Sequence, residues 1–294
     1  MKNLINNEIK WAIGLIEADG YIGFYHNGNK KWIITLKVSL NSYNIKTIYK
    51  LKRIIGYGSI HKSKNMVTWK ITNKETIKNH ILPILSQFNF RGLKYYQVMY
   101  LKDAINIMES SKNTNEKHEI LSKLKLESKD CLWRVSPIVF PILNNDINNI
   151  IKYNLKKNNE LIKLIPKNSL INIIDPWWLS GFIEGDGSFK INDKLQIVFE
   201  LGQKNNSFII WLIHKYLNIQ SKIKVKKDNS YTTLSTKDPK IINKLIILLK
   251  GKLLGIKSFE YSIWSRAFRT NKMNKLCKAK EILNKIRKQR NSIK

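Results

Sequence analysis

The sequence predicts an α+β protein that consists of two pseudo-symmetric αββαββα halves. A ten-residue stretch occurs twice, as WAIGLIEADG over Trp11–Gly20 and as WLSGFIEGDG over Trp178–Gly187. After each copy, short runs with alternating apolar residues indicate strands, and longer runs with helical spacing indicate helices. An internal repeat of this length determines the architecture, and two copies indicate a pair of related subdomains.

The repeated stretch is predicted to form a buried helix in each half, because it is apolar on more than one side. Gly14 and Ala18 are four residues apart, as are Gly181 and Gly185, and residues at that spacing share one helix face. Small residues on a shared face let two helix backbones approach closely. We therefore expect the two helices to pack side by side at Gly14 and Gly181, and to end together.

The last turn of each predicted helix is acidic, with Glu17 and Asp19 in the first copy and Glu184 and Asp186 in the second. The glycine that follows stands where many helices end in a left-handed residue. Carboxylates beside the negative end of a helix dipole are disfavoured unless a cation is near. Hard divalent ions prefer carboxylate and carbonyl oxygens, and paired metals hydrolyse phosphodiesters. Acids on two ordinary surface helices are the alternative, but the duplication and the glycine-spaced context favour a metal site.

At these residues the sequence resembles the LAGLIDADG homing endonucleases, of the single-chain, two-motif kind encoded in group I introns of fungal mitochondrial genomes. The resemblance implies a saddle of antiparallel sheets with the two motif helices packed at its centre. It implies that Asp19 and Asp186 bind the catalytic metals, together with the backbone carbonyls of Ala18 and Gly185. Glutamate replaces the commoner first aspartate of each motif, and an alanine replaces a frequent glycine. Neither departure touches the metal-binding aspartates.

A second repeated detail lies further along each half, as Gly92-Leu-Lys94 and Gly255-Ile-Lys257. In similar family members, a lysine at this place lies near the scissile phosphates. There it stabilises developing negative charge or helps to position the attacking water. Lys94 and Lys257 are therefore the candidate catalytic lysines.

The predicted domains are an N-terminal half at 1–110, a connector at 111–172 and a C-terminal half at 173–294. The connector should be partly helical, around 116–126 and 148–164. In the first half we predict hairpins around Asn27-Gly28 and over 58–73, and helices over 42–55 (capped by Ser42), 75–88 and 93–110. In the second half we predict strands over 188–193, 196–203, 221–227 and 230–236, helices over 206–218 and 239–250, a helix from 258 and a basic tail from 278.

The outward faces of these strands are predicted to bind DNA. A two-stranded ribbon fits the major groove, where all four base pairs are distinguishable. Phosphate contacts from lysines would make the affinity strongly salt-dependent. If the strands were considered in isolation, the usual interpretation would be that these polar residues only face solvent. The candidate DNA-contact residues are Thr35, Lys37, Ser39, Asn41, His61, Ser63, Thr68, Lys70, Thr72, Ser188, Lys190, Asn192, Gln196, Val198, Glu200, Lys222, Lys224, Lys226, Tyr231, Thr233 and Ser235.

The composition favours a polyanionic partner, since 53 Lys and Arg outnumber 21 Asp and Glu and the formal net charge is +32. The two cysteines, Cys131 and Cys277, are too few for a disulfide framework and have no zinc-ligand spacing. No apolar run reaches the length of a membrane span, and no basic helix has a clean apolar face, so a membrane role is disfavoured. The N-terminus has neither a secretory signal nor an Arg- and Ser-rich transit peptide.

The resemblance therefore implies a monomeric, site-specific endonuclease that hydrolyses double-stranded DNA across the minor groove, leaves a staggered cut and promotes intron mobility. It implies two or more Mg²⁺ ions, for which Mn²⁺ or Ca²⁺ can substitute in binding, and a place in the mitochondrial matrix, encoded by the mitochondrial genome. The alternative is an RNA maturase that assists splicing of its own group I intron, with or without cleavage. Both motif aspartates are intact, which favours the nuclease.

Overall fold

The protein was analysed as a computed structural model that describes residues 2–29, 31–129, 165, 167–226 and 231–292. Each half begins with a motif helix and continues into a four-stranded antiparallel sheet. The strand orders are β1-β2-β4-β3 and β5-β6-β8-β7, so the two sheets share one topology. This arrangement confirms the predicted fold class.

The elements of the first half follow the predicted order, with small shifts at their ends. They are α1 (Lys2–Asp19), β1 (Gly20–His26), β2 (Trp32–Asn41), a 3₁₀ turn (Ser42–Asn44), α2 (Ile45–Ile55), β3 (Ser59–Lys62), β4 (Met66–Ile71), α3 (Lys74–Thr76), a π-helical turn (Ile77–Ile81), α4 (Leu82–Phe88) and α5 (Lys94–Glu109). A further helix, α6 (Thr114–Glu127), lies within the predicted connector. Its His118 accepts a hydrogen bond from Trp32 Nε1 of β2, which attaches α6 to the first sheet.

The second half repeats this order and adds a long C-terminal helix. Its elements are α7 (Lys167–Ile173), α8 (Pro176–Asp186), β5 (Gly187–Ile191), β6 (Ile197–Lys204), α9 (Ser207–Leu217), β7 (Lys224–Val225), β8 (Tyr231–Thr236), α10 (Pro239–Leu249), α11 (Lys257–Thr270) and α12 (Met273–Ser292). The predicted basic tail forms a helix: α12 buries Leu276, Ala279 and Leu283, so its apolar stripe packs on the domain. The predicted helix at 148–164 lies outside the described residues.

One face of each sheet is buried and the opposite face, here called the outer face, carries the polar residues. On β2, Leu36, Val38 and Leu40 are buried, and the same alternation recurs on β4 and β5. The buried residues pack on the amphipathic helices, which places the core of each half between its sheet and its helices. None of the helices in the described part of the chain is long and apolar enough to cross a membrane.

The two motif helices, α1 and α8, meet backbone to backbone. A Cβ atom added to Gly14 would stand 2.0 Å from the carbonyl oxygen of Trp178. A Cβ atom added to Gly181 would stand 1.9 Å from the carbonyl oxygen of Trp11. No side chain fits at either position, and this close approach makes the C-terminal ends of both helices neighbours.

Two local predictions about helix ends are wrong. Gly187 does not close its helix in a left-handed conformation: its φ of −77° is extended, and it begins strand β5 directly. The 3₁₀ turn before α2 is capped by Asn41, whose side chain accepts a hydrogen bond from Tyr43 N, and not by Ser42. Asn41 has the longer side chain and lies one residue before the turn, which is where a capping oxygen can reach the free N–H group.

Replacing Gly14 with Ala should destabilise the protein by about 2–3 kcal/mol, because the added methyl group forces the helix backbones apart. The free energy of unfolding is measured by urea titration. Ile5→Ala is the control, since Ile5 lies on the same helix and is exposed. An unchanged midpoint for Gly14→Ala would mean that the two helices do not meet at this position.

Candidate active site and nucleic-acid interface

Two aspartates meet where the motif helices end. Asp19 is the last residue of α1 and Asp186 is the last residue of α8. The Oδ2 atom of each is buried and has no hydrogen-bond partner in the described part of the chain. Asp19 Oδ2 stands 2.5 Å from the place of a Cβ on Gly185, so the carboxylate of one motif lies against the backbone of the other.

Burial without partners makes ionisation of both aspartates unfavourable. Burial raises the pKa of Asp19, and the charges of Lys257 and Lys94 oppose this shift. Burial and then the negative charge of Asp19 hold the pKa of Asp186 well above its ordinary value. Like charges at close range cannot both ionise freely, so the pair has a marked need for a cation.

The two candidate lysines lie beside this pair, each as the first residue of a helix. Lys94 begins α5, where burial lowers its pKa and the charges of Glu17, Asp19 and Asp186 raise it. Lys257 begins α11 and donates from Nζ to the carbonyl oxygens of Ile183, at 2.9 Å, and Gly185, at 2.7 Å. Lys257 is thus anchored to the end of α8.

Glu17 and Glu184 belong to a different part of the site than the sequence indicates. Both are buried, but they point to the starts of the lysine-bearing helices. Glu184 accepts hydrogen bonds from the backbone N–H groups of Gly255, at 3.2 Å, and Lys257, at 2.8 Å. A buried carboxylate is stabilised by free N–H groups at a helix N-terminus. The prediction that these glutamates join the negative cluster is therefore wrong.

In the first half, Glu17 makes the equivalent contact with the chain just before α5. Glu17 accepts from the N–H groups of Arg91, at 3.0 Å, and Gly92, at 2.6 Å, and from Trp178 Nε1, at 3.1 Å. Burial raises the pKa of Glu17, and the charge of Arg91 is the largest influence that lowers it. The repeated Gly-x-Lys sequence is explained by these contacts, because the glutamate binds at the glycine and the lysine then starts the helix.

The resemblance implies that the backbone carbonyls of Ala18 and Gly185 are metal ligands. Each of them already accepts one hydrogen bond from a side chain. Gly185 O accepts from Lys257, and Ala18 O accepts from Gln203 Nε2 at 3.2 Å. Sequence reasoning missed Gln203, which lies buried on β6. The signal in the sequence is that Gln203 continues the alternation of the apolar residues Phe199 and Leu201, which places its side chain on the buried face of β6. A carbonyl oxygen has a second lone pair, so either can still accept a further partner.

The residues present fit a hard divalent ion. Two buried carboxylate oxygens lack partners, and carboxylates with carbonyls are the donor set that Mg²⁺ and Ca²⁺ prefer. Within the described ranges, no group of three or more His, Cys, Asp and Glu side chains gathers at one point. The remaining ligands must therefore come from backbone oxygens, water or a bound phosphate.

The outer face of the first sheet presents most of the predicted DNA-contact side chains. Lys37 is exposed, and Ser39 and Thr68 lie opposite each other with their hydroxyl oxygens 2.9 Å apart. His61 is exposed and bonds to Ser59 across 2.9 Å. The other predicted residues of this half, none of them buried, are Ser63, Lys70 and Thr72.

One predicted DNA contact in this half is corrected. Thr35 is 2% exposed, because the ring of Tyr21 lies across Gly23, the cross-strand neighbour of Thr35. The alternation of β2 is as expected, but glycine leaves room for the aromatic ring to cover the strand. Asn41 Oδ1 accepts the cap hydrogen bond from Tyr43 N, and its contact with DNA stays a prediction.

The outer face of the second sheet is similar but carries an ion pair. Lys190 and Glu200 form a salt bridge, and Lys222, Lys224 and Lys226 are exposed. The turn between β5 and β6 is stabilised by Asn192 and Gln196, whose side chains bond to each other at 3.0 Å. The half-buried predicted residues of this face are Ser188, Val198, Thr233 and Ser235.

Tyr231 connects this face to the aspartates. It is exposed, its ring lies against Gly202, and Lys226 Nζ stands 5.7 Å from the ring centroid. Burial, and then the negative charge of Asp186, raise the pKa of Tyr231. Strands β1 and β5 begin directly after Asp19 and Asp186, so both sheets adjoin the aspartate pair.

The sequence matches the profile of the LAGLIDADG endonucleases over residues 12–105 and 179–268. The chain belongs to the LAGLIDADG endonuclease family. A probable intron-encoded endonuclease, Cox1-I1b of Schizosaccharomyces pombe, is 30% identical over 295 residues, which covers 95% of this chain and 68% of that protein. A probable intron-encoded endonuclease of Dictyostelium discoideum, aI3, is 24% identical over 227 residues, 76% of this chain and 80% of that protein.

Solved structures of LAGLIDADG homing endonucleases share the fold over nearly the whole chain. I-SmaMI bound to cleaved DNA gives a TM-score of 0.67 at 21% identity, and the match covers 97% of this chain and 96% of that one. I-LtrWI bound to target DNA gives 0.67 at 22% identity, with 96% and 98% covered. I-SmaMI has also been solved with uncleaved DNA and calcium ions, with a TM-score of 0.64 at 19% identity over 94% and 97% of the two chains.

In metal-free buffer, Asp186→Asn should raise the melting temperature by a few degrees, and more at pH 8 than at pH 4. The folded protein keeps the Asp186 proton at pH values where the unfolded chain has lost it. Stability therefore falls as the pH rises from the ordinary pKa of 3.8 through the raised one, and the loss persists above it. Thermal unfolding with chelator at both pH values measures this. Asp103→Asn, at an exposed position, is the control, and an equal gain at both pH values would contradict the expectation.

The two lysines should differ in their structural role. Lys257→Met removes two hydrogen bonds to buried carbonyls and should lower the melting temperature clearly, whereas Lys94→Met removes a charge whose burial is itself unfavourable. We expect both variants to cleave DNA about 100-fold more slowly or worse, because the resemblance implies that each lysine lies near the scissile phosphate. Melting curves and single-turnover cleavage are compared with exposed Lys46→Met. A Lys94 variant less stable than the Lys257 variant would reverse the assignment.

Proposed function

We propose that this LAGLIDADG endonuclease is a site-specific nuclease that cuts both strands of double-stranded DNA as a monomer and leaves a staggered break. The observation that carries the proposal is the pair of aspartates at the adjoining ends of α1 and α8, each with one buried carboxylate oxygen that has no hydrogen-bond partner among the described residues. Two lysines flank the pair, and the outer faces of two basic sheets adjoin it. A duplicated motif supplies one such carboxylate for each DNA strand.

Asp19 and Asp186 would hold the divalent ions, for which we propose Mg²⁺. The second lone pairs of Ala18 O and Gly185 O are proposed as further donors to the ions. When bound, the metal activates water for attack on the phosphorus and stabilises the leaving oxygen. The relative solved with calcium ions supports a divalent metal in this family.

The chain's own residues supply the rest of the chemistry. Lys94 and Lys257 place positive charge where the attacked phosphate gains negative charge, and burial strengthens that interaction. Glu17 and Glu184 fix the helix starts, so the lysines stand in a set position before DNA binds. Gln203 and Lys257 hold the carbonyls just before the aspartates, and this restricts the orientation of both carboxylates.

DNA would lie along the outer faces of both sheets, with the minor groove over the aspartates. The exposed lysines would neutralise phosphates, and Ser39, Thr68, Thr233 and Ser235 would reach base edges in the flanking major grooves. Each polar reader distinguishes bases by roughly 1–3 kcal/mol. Lysine contacts apply to all sequences alike and make binding salt-dependent.

The biological setting that we propose is intron mobility in the mitochondrial matrix, from a gene within the mitochondrial genome. The relatives' names, which describe intron-encoded endonucleases, support it. No observation favours the alternative, an RNA maturase. Both motif aspartates are in place, as the nuclease requires. The divisions at 110 and 172 between the halves and the connector also stay predictions.

Asp19→Asn should abolish double-strand cleavage and leave DNA affinity within about a factor of three, because the aspartate holds metal while the sheets hold DNA. The assay selects cleaved sites from a randomised DNA library with Mg²⁺, and then repeats the best site with chelator. Ca²⁺ should raise the melting temperature of the wild type and not that of the variant.

Exposed Glu119→Gln serves as the control for charge removal and should cut like the wild type. A wild type that selects no cleaved site with any divalent ion would refute the proposed function. An Asp19 variant that cuts at the wild-type rate would refute only the metal assignment.

A further inference from the structure

A concave site of about 480 Å³ lies on the outer face of the second sheet. Strands β5, β6 and β8 form its floor, and α12 closes one side. Among the residues that the structure describes, its lining includes five cations and a single acid, Glu200. The cations are Lys190, Lys222, Lys224, Lys237 and Arg287.

Glu200 is paired within this site. Lys190 lies opposite Val198 and Glu200 lies opposite Ser188, so the two charged residues are diagonal neighbours on adjacent strands. They form a salt bridge, and their side chains are still 37% and 32% exposed. The ammonium and the carboxylate therefore stand side by side with their outer edges accessible.

Arg287 connects α12 to this pair. Its Nη2 donates to the carbonyl oxygen of Phe189 at 2.7 Å, and its Nη1 donates to Asn284 Oδ1 at 3.2 Å. Burial and then the charge of Arg287 lower the pKa of Lys190. The guanidinium is therefore near enough to repel the Lys190 ammonium, and Glu200 is the carboxylate with which Lys190 pairs.

An acid at this place needs an explanation, because every carboxylate on a phosphate-binding face weakens binding to all DNA alike. A carboxylate in the major groove can accept a hydrogen bond only from cytosine N4 or adenine N6. Lysine donates best to guanine, which presents two acceptors, O6 and N7. A fixed lysine–glutamate pair therefore presents a donor beside an acceptor, in a set order.

We propose that Lys190 and Glu200 act as one unit that selects a G·C base pair, with guanine on the lysine side and cytosine on the glutamate side. The inference rests on the proposed binding of DNA to the outer faces. Guanine O6 and cytosine N4 are hydrogen-bonded to each other, so they lie as close together as the two charged groups do. The order of the pair excludes C·G, since that orientation puts carboxylate against O6.

Base pairs of adenine and thymine match the Lys190–Glu200 pair less well than G·C does. A T·A pair keeps an acceptor on the lysine side and a donor on the glutamate side. However, its thymine methyl group replaces the second acceptor, and adenine N7 places a lone pair beside the carboxylate. The expected order is therefore G·C first, T·A second and the reversed pairs last. Arg287 is a positioning residue in this scheme, because it holds β5 and directs Lys190 towards Glu200.

The test is selection of bound sites from a randomised duplex library with Ca²⁺, followed by sequencing, with the full-length protein. The wild type should enrich G·C over the reversed pair by roughly tenfold or more at one position. Glu200→Gln should change the base on the glutamate side from cytosine to adenine, since glutamine binds adenine through N6 and N7. Lys190→Met should remove the guanine preference at the same position.

Asp193→Asn is the matched control, because Asp193 pairs with Lys280 in the same half but lies fully exposed outside the concave site. It should leave every selected base unchanged. An identical motif for wild type and Glu200→Gln, with melting temperatures alike, would overturn the inference and leave the proposed function standing. Should the wild type select no motif at all, DNA recognition itself would fail.

Discussion

The backbone contact between α1 and α8 is the constraint on which the rest of this structure depends. Gly14 and Gly181 admit no Cβ, so the two helices approach until carbonyl oxygens of one lie where a side chain of the other would be. Helices at this distance end side by side, and each ends in an aspartate. The glycines therefore determine the separation of the two carboxylates, although they carry no chemistry themselves.

The closeness of Asp19 and Asp186 is unfavourable for the folded protein by itself. Two carboxylates with raised pKa values destabilise the metal-free state above those pKa values. The same burial increases the attraction of the pair for a divalent ion. Glu17 and Glu184 show the opposite case, since each is more deeply buried than the aspartates and accepts two or more N–H donors. The number of local donors decides which acids hold the fold together and which remain available for a cation.

The two halves are similar in fold and different in chemistry. Gln203 reaches the carbonyl of Ala18, and the pseudo-equivalent position on β2 is Leu40, judged by the strand registers opposite Gly20 and Gly187. Lys257 is bonded to two carbonyls, whereas the interactions of Lys94 within the described part of the chain are those of charge with Glu17 and the aspartates. The two halves of a single chain can diverge in this way, because a substitution in one half is not repeated in the other.

Local pattern alone determined much of this protein. The duplicated motif predicts paired helices with acids in the last turn of each, and the alternation in β2, β4 and β5 predicts the buried and outer faces, because side-chain direction repeats every two residues in a strand. Tertiary structure decided the remainder. Thr35 is buried because the ring of Tyr21 lies across Gly23. Glu17 accepts hydrogen bonds from backbone N–H groups more than seventy residues away and is therefore not available as a metal ligand. Arg287 reaches the outer face only because α12 folds back onto β5, and no sequence spacing encodes such a long-range contact.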